Sequence, residues 1–151
     1  MLALLDTNIL IEAFAATAPD SAMSRIEEAI AARARYSVVT RIELLGWRGH
    51  TDDSRRATEG LLAQLAEVPL SHAVADETIR IRSSVSIKLP DAIIAASALI
   101  ERLPLMTRNT GDFQRIPGLT LIDPFAAPSP SCGGLHWRSR LHEPMANSTI
   151  A

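Results

Sequence analysis

Short apolar runs alternate along this chain with longer segments whose apolar residues recur at helical spacing. Leu2-Ala3-Leu4-Leu5, Tyr36-Ser37-Val38-Val39, Leu105-Met106-Thr107 and Leu119-Thr120-Leu121-Ile122 read as strands. Val68-Pro69-Leu70 reads as a short extended piece. A short helix is expected around Ile9–Phe14, and a longer one from Ser21 to about Ala34 with Met23, Ile26 and Ile30 on one face. Thr40 and Glu43 match a capping box that opens an amphipathic helix, whose apolar face Trp47 would extend. Further helices run from Ser54 to about Ala66 and from His72 to about Ser84. Pro90 suits the first turn of a nearly apolar helix carrying Ile93, Ile94, Ala96, Ala98 and Leu99. Such alternation predicts an α/β domain with a largely parallel sheet.

The 151 residues are 47% hydrophobic, enough for one domain with a real core. The domain is expected to span residues 1–125. Residues 126–151 change character, with Pro128, Pro130, Gly133 and Gly134 among serines and little periodicity, and read as a flexible or peripheral tail. A single cysteine, Cys132, rules out a disulfide framework within the chain and fits a reducing compartment. The N-terminus lacks the basic region of a signal peptide, and no apolar run reaches membrane-spanning length, so a cytoplasmic protein with no membrane partner is expected.

Four acids stand where these elements begin or end. Asp6 closes the first apolar run, Glu43 and Asp91 lie in the first turns of helices, and Asp112 sits in the turn after Leu105-Met106-Thr107. Parallel α/β folds gather ligands at the carboxyl ends of their strands, so the four carboxylates can converge from distant parts of the chain. Grouped carboxylates repel one another, and a hard divalent cation with oxygen ligands relieves that repulsion. Mg²⁺ (or Mn²⁺) is therefore the expected cofactor, with a phosphodiester as substrate. Asp6 and Asp91 are the expected direct ligands, and Asp112 completes a second metal position. Glu43 binds through water or accepts the water's proton. Asn8, Thr107 and Asn109 suit the orientation of carboxylates or a phosphate. Each acid has an ordinary use in a turn or cap; the joint pattern is what points to chemistry.

Other chemistries find little support. The histidines and Cys132 lack zinc-ligand spacing, and neither a Gly-rich phosphate loop nor a nucleophile elbow is present. The net charge of -2 is not that of a typical nucleic-acid binder, although acids around a metal can mask a basic rim. The basic residues are almost all arginine, with Lys88 the only lysine. Arg41 and Arg108, beside the acids in sequence, are the first candidates for contact with a phosphodiester substrate; Arg115 and Lys88 come second.

Across residues 1–125 the chain resembles the PIN-domain ribonucleases, and within them the VapC-type toxins of bacterial toxin–antitoxin pairs. The marks are Leu4-Leu5-Asp6-Thr7-Asn8-Ile9-Leu10, Thr40-Arg41-Ile42-Glu43-Leu44, Leu89-Pro90-Asp91-Ala92-Ile93-Ile94-Ala95-Ala96 and Thr107-Arg108-Asn109-Thr110-Gly111-Asp112-Phe113. The resemblance implies a three-layer α/β/α domain with a mostly parallel central sheet, and a Mg²⁺- or Mn²⁺-dependent endoribonuclease cutting single-stranded RNA. It carries catalytic roles onto Asp6, Glu43 and Asp91. The fourth falls to Asp112, or in weaker form to Asn109, where many relatives have an acid. The resemblance also implies a homodimer and a cognate antitoxin, with operator DNA reached only through the antitoxin. The helices bearing Trp47 and Ile26/Ile30 offer apolar surface to the antitoxin arm or the dimer, or else belong to the core. Trp137-Arg138-Ser139-Arg140 reads as incidental surface, with RNA stacking as the other use. Rival functions are a non-catalytic RNA- or protein-binding module of the same fold and a 5′ nuclease for structured DNA.

Overall fold

The structure is a computed structural model and describes residues 2–127. The tail segments around Cys132, His136, Trp137 and Leu141 lie outside the described residues, as does almost all of the expected 126–151 unit. Five short strands form one sheet: β1 (Leu4–Leu5), β2 (Arg35–Ser37), β3 (Ala66–Val68), β4 (Leu105–Met106) and β5 (Leu121–Ile122). Every pairing is parallel, and the order across the sheet is β3-β2-β1-β4-β5. The helices are α1 (Thr7–Ala15), α2 (Asp20–Ala31), α3 (Val38–Leu45), α4 (Asp52–Ala63), α5 (His72–Ser84), α6 (Leu89–Glu101) and α7 (Thr110–Phe113).

Period-two alternation in the strands separates two cores. Leu4 and Leu105 point to the face covered by α5 and α6, where Val74, Ile81, Ile94, Phe113 and Ile116 also pack. Leu5 and Met106 point to the opposite face, against Ile9, Leu10, Ile26 and Leu62 of α1, α2 and α4. The expected three layers are therefore present. Seven consecutive residues of α6, Ala92 to Ala98, are buried, as its apolar sequence foretold. Its alanines let the helix backbone come close to the sheet. Ser97, the one polar member, donates its hydroxyl to the Ile93 carbonyl at 2.8 Å, so no polar group there lacks a partner.

Several local expectations change. Tyr36–Val39 is not one strand: β2 ends at Ser37, and α3 begins at Val38. The buried Ser37 hydroxyl accepts from the Val39 N–H at 3.2 Å, which opens a helix against the β propensity of two valines. Thr40 and Glu43 therefore form no capping box, and Glu43 lies in the second turn. The extended piece proposed at 68–70 is shifted to β3 at the sheet edge. Trp47 lies beyond α3 and is 62% exposed, its ring edge-on to His50. Ile26 is fully buried and offers nothing to a partner. Asp112 belongs to the short α7 and not to an open turn.

Candidate active site

Strand order places the site. The chain starts at the centre of the sheet, builds outward through β2 and β3, then returns to set β4 on the other side of β1. The connections leaving β1 and β4 therefore run over opposite faces, which opens a crevice at the carboxyl ends of these two strands. Asp6 follows β1 and Thr107 follows β4, and the two meet there. The Thr107 hydroxyl donates to Asp6 Oδ2 at 2.8 Å, and Asp6 Oδ1 accepts from the Thr7 N–H at the start of α1 at 2.8 Å. Asp6 is only 4% exposed, so both oxygens are oriented before any ligand arrives.

Two side-chain links extend this arrangement. The Thr7 and Thr40 hydroxyls stand 2.9 Å apart, both in buried surroundings, and tie the start of α1 to α3. Thr40 and Glu43 are three residues apart on one helix face, so this link also sets the position of Glu43. On the other side, the Asn109 N–H donates to the Thr107 hydroxyl at 3.0 Å, and the Asn109 side-chain amide donates to Asp112 Oδ2 at 2.6 Å. Thr107 thus relays between Asp6 and the start of α7, which holds Asp112. Asp91 enters from the first turn of α6, where the helix N-terminus favours negative charge. Asn8 is exposed in the first turn of α1.

The acids feel one another. Burial raises the Asp6 carboxyl above its ordinary value, with the hydrogen bonds from Thr107 and Thr7 acting against the rise. Glu43 is raised by partial desolvation first, then by the charges of Asp6 and Asp91, with Thr7 opposing. Asp91 is raised by desolvation, then by Asp6 and Asp112, with Lys88 opposing. The structure therefore brings Asp6, Glu43, Asp91 and Asp112 into one electrostatic neighbourhood. Among the described residues, no three His, Cys, Asp or Glu side chains are drawn together tightly enough to hold one metal ion as they stand. The donor set is all carboxylate oxygen, which fits Mg²⁺ or Mn²⁺ in kind.

The two arginines expected to meet RNA are engaged elsewhere. Arg41 sits two residues before Glu43, about 200° around the helix axis, and its Nε pairs with Glu67 of β3 at 2.6 Å. Arg108 pairs with Glu12 of α1 at 3.0 Å, and its guanidinium lies 4.4 Å from the centre of the Phe125 ring. Sequence reasoning missed Arg82 and Ser86, which line a cleft with Lys88, Asp91 and Asp112. Neither lies in a motif, and only the fold brings them to the acids. The Thr7–Thr40 link, 33 residues apart in sequence, likewise had no local signal.

A buried, pre-oriented carboxylate at the switch point of a parallel sheet, with Glu43 and Asp91 within its field, marks the class: a parallel α/β domain with an acidic site at the carboxyl ends of its strands. The PIN domain model matches residues 3–119, and the chain belongs to that family, whose members are in general nucleases. Among solved structures, the chain is similar to one in a toxin–antitoxin complex from Klebsiella pneumoniae, at 33% identity and a TM-score of 0.68, over 83% of this chain and 99% of that one. VapBC-1 from nontypeable Haemophilus influenzae aligns at 27% identity and a TM-score of 0.72, over 83% and 100% of the two chains. DNA-bound VapBC from Salmonella typhimurium aligns at 26% identity and a TM-score of 0.72, over 82% and 99%. No curated protein matches the chain.

Proposed function

We propose that this chain is a metal-dependent endoribonuclease that hydrolyses single-stranded RNA in the cytoplasm as the toxin of a toxin–antitoxin pair. The observation that carries the reading is Asp6, buried at the switch point, fixed through both carboxylate oxygens and coupled to Glu43 and Asp91, the latter coupled in turn to Asp112. A pure binding module gains nothing from a desolvated charge of this kind. Asp6 and Asp91 would hold the divalent ion, and Asp112 would complete a second position. When bound, the ion supplies an acidified water and neutralises charge developing on the phosphate oxygens. Glu43 accepts a proton from the attacking water at its carboxylate, a task suited to an acid whose pKa is raised toward the working pH. Thr107 keeps Asp6 in place by donating to Oδ2, and Asn109 does the same for Asp112. In this reading Asp112 supplies the fourth carboxylate, while Asn109 positions it and Asn8 faces the substrate. Arg41 and Arg108 contact RNA only by exchanging Glu67 and Glu12 for phosphate.

An apolar groove of about 310 Å³ supports the second half of the reading. Ile11, Phe14, Leu44, Trp47 and Leu61 line it, and Glu43 also forms part of its wall. An antitoxin arm laid in this groove can place a basic side chain against the acids and pair with them. The similarity to chains of VapBC complexes, one of them bound to DNA, supports this partner and contact with operator DNA through the antitoxin; a homodimer completes the reading.

The test is cleavage of a mixed cellular RNA pool with Mg²⁺ or Mn²⁺ by the parent, Asp6→Asn and Asp91→Asn, each confirmed as folded. Defined cleavage that EDTA and both substitutions abolish is the expected result. Cleavage surviving both substitutions would show that the site lies elsewhere.

A further inference from the structure

The acids carry a problem that the first reading leaves open. RNA is a polyanion, and before any ion binds, the mouth of this site repels it. The arginines nearest in sequence are already paired with Glu67 and Glu12. A different pair of basic residues reaches the site through the fold. Arg82 lies in the last turn of α5 and Lys88 at the N-cap position of α6, and the short loop between these helices brings both to one cleft of about 460 Å³. Ser86 and Ile87 of that loop line it together with Asp91 and Asp112. Arg82, Ser86 and Lys88 are all exposed, and among the described residues neither cation makes an ion pair. A second open cleft shares Arg82, Ser86 and Ile87 and continues past them to Ile79 and Leu89, which are 67% and 49% exposed.

We propose that Arg82, Lys88 and Ser86 form a backbone anchor for the RNA strand, holding a phosphate next to the scissile one. The inference rests on the nuclease reading of the same site. Geometry gives each group its task. Arg82 presents a planar fork suited to two phosphate oxygens, Lys88 a point charge, and Ser86 a hydroxyl donor. Asp91 and Asp112 line the same cleft, so a strand held by these groups lies next to the acids. The adjoining cleft, lined by Ile79 and Leu89, gives a flanking base an apolar wall. None of these contacts reads base identity, so the anchor fixes strand path and direction and leaves sequence preference to other residues.

The test compares the parent with Arg82→Gln, Lys88→Gln and the double variant. Binding of a fluorescent mixed-sequence single-stranded RNA is measured across a salt series without divalent ions, and cleavage is measured with Mg²⁺ over a range of RNA concentrations. The altered side chains are exposed, and melting curves verify the fold. The anchor predicts a higher KM with kcat nearly unchanged. It also predicts that the slope of log affinity against log salt falls by about 0.7 for each phosphate contact removed. A parent that binds and cleaves, with variants indistinguishable from it in KM and salt slope, overturns the anchor and leaves the nuclease standing. Variants that lose only antitoxin affinity also overturn it and reassign the cleft to a protein partner. A parent that neither binds nor cleaves RNA overturns the nuclease reading, and the anchor falls with it.

Discussion

Thr107 is a small residue with a large share of the site's organisation. It is fully buried, donates to Asp6 and accepts from the Asn109 N–H. Thr107→Val keeps the volume and removes both contacts, leaving a buried carboxylate oxygen and an N–H without partners. The expected cost is about 1–3 kcal/mol in urea unfolding, with divalent-ion affinity weakened about 10–100-fold as for other outer-shell partners. Calorimetric Mg²⁺ titration showing parental affinity would remove Thr107 from the site. Asp6 itself yields a pH prediction. Its folded-state pKa is raised, chiefly by burial. Below the ordinary carboxylate range it is neutral whether folded or unfolded, and its contribution to stability is fully present. That contribution is lost as pH rises from the unfolded value through the raised folded one. In EDTA, Asp6→Asn should therefore gain stability relative to the parent as pH increases across this window. A gap that stays constant or narrows with pH in paired denaturation curves would contradict the burial effect. The acids were legible as residue types in the sequence, because carboxylates beside apolar runs are unusual. Their tethers were not, because a threonine hydroxyl bonds wherever the fold happens to bring an acceptor.

At the scale of elements, long and strongly periodic segments were the readable ones. The helix at 72–84 and the apolar helix at 89–101 appear where spacing and Pro90 placed them. The segment at 36–45 was misread for a definable reason. Val38 and Val39 favour a strand, and Thr40 with Glu43 imitates a capping box, yet Ser37 caps the helix three residues earlier. Tertiary packing decided the matter, since Val39 packs against the core beneath α6. Glu43 still lies within the field of Asp6 and Asp91 despite the different turn, because the electrostatic neighbourhood depends on the helix face and not on its first residue. Ser37→Ala should cost about 1 kcal/mol, the usual value of a lost N-cap. The loss should also appear in cleavage rate, because α3 carries both Thr40 and Glu43. Thr40→Val should lower activity through the lost Thr7 contact while leaving the cap intact, which NMR protection of the first-turn amides of α3 can separate. Equal fraying of that turn in both variants would restore a capping role to Thr40.

At the scale of the molecule, the alternation of strand and helix foretold a parallel layered domain, but not the order of strands. That order creates the crevice, and it comes from long-range pairing that no local pattern encodes. The same limit hid Arg82, which only the fold brings into a cleft with Asp91 and Asp112. The fold also separates two surfaces that meet at the acids. On one side the cleft is polar, with Arg82 and Lys88 set beside Asp91 and Asp112, suited to a strand of RNA led up to the acids. On the other the groove is almost wholly apolar, suited to a protein arm, and Glu43 joins it to the acid site. A polyanion gains little from an apolar groove, and an apolar arm gains little from the polar cleft. Blocking and binding should therefore separate by mutation. Trp47 is exposed beside the groove and supported edge-on by His50, whose Nε2 donates to the Leu44 carbonyl at 2.6 Å. Exposed tryptophans of this kind commonly anchor interfaces, with truncation costing about 2 kcal/mol or more. Trp47→Ala should weaken antitoxin affinity by roughly 30-fold or more at that energy, while RNA cleavage by the free chain stays near the parent's. Surface plasmon resonance with the purified antitoxin, run beside the cleavage assay, measures both. Parental antitoxin affinity with impaired cleavage would exchange the roles of the two surfaces and place RNA in the apolar groove.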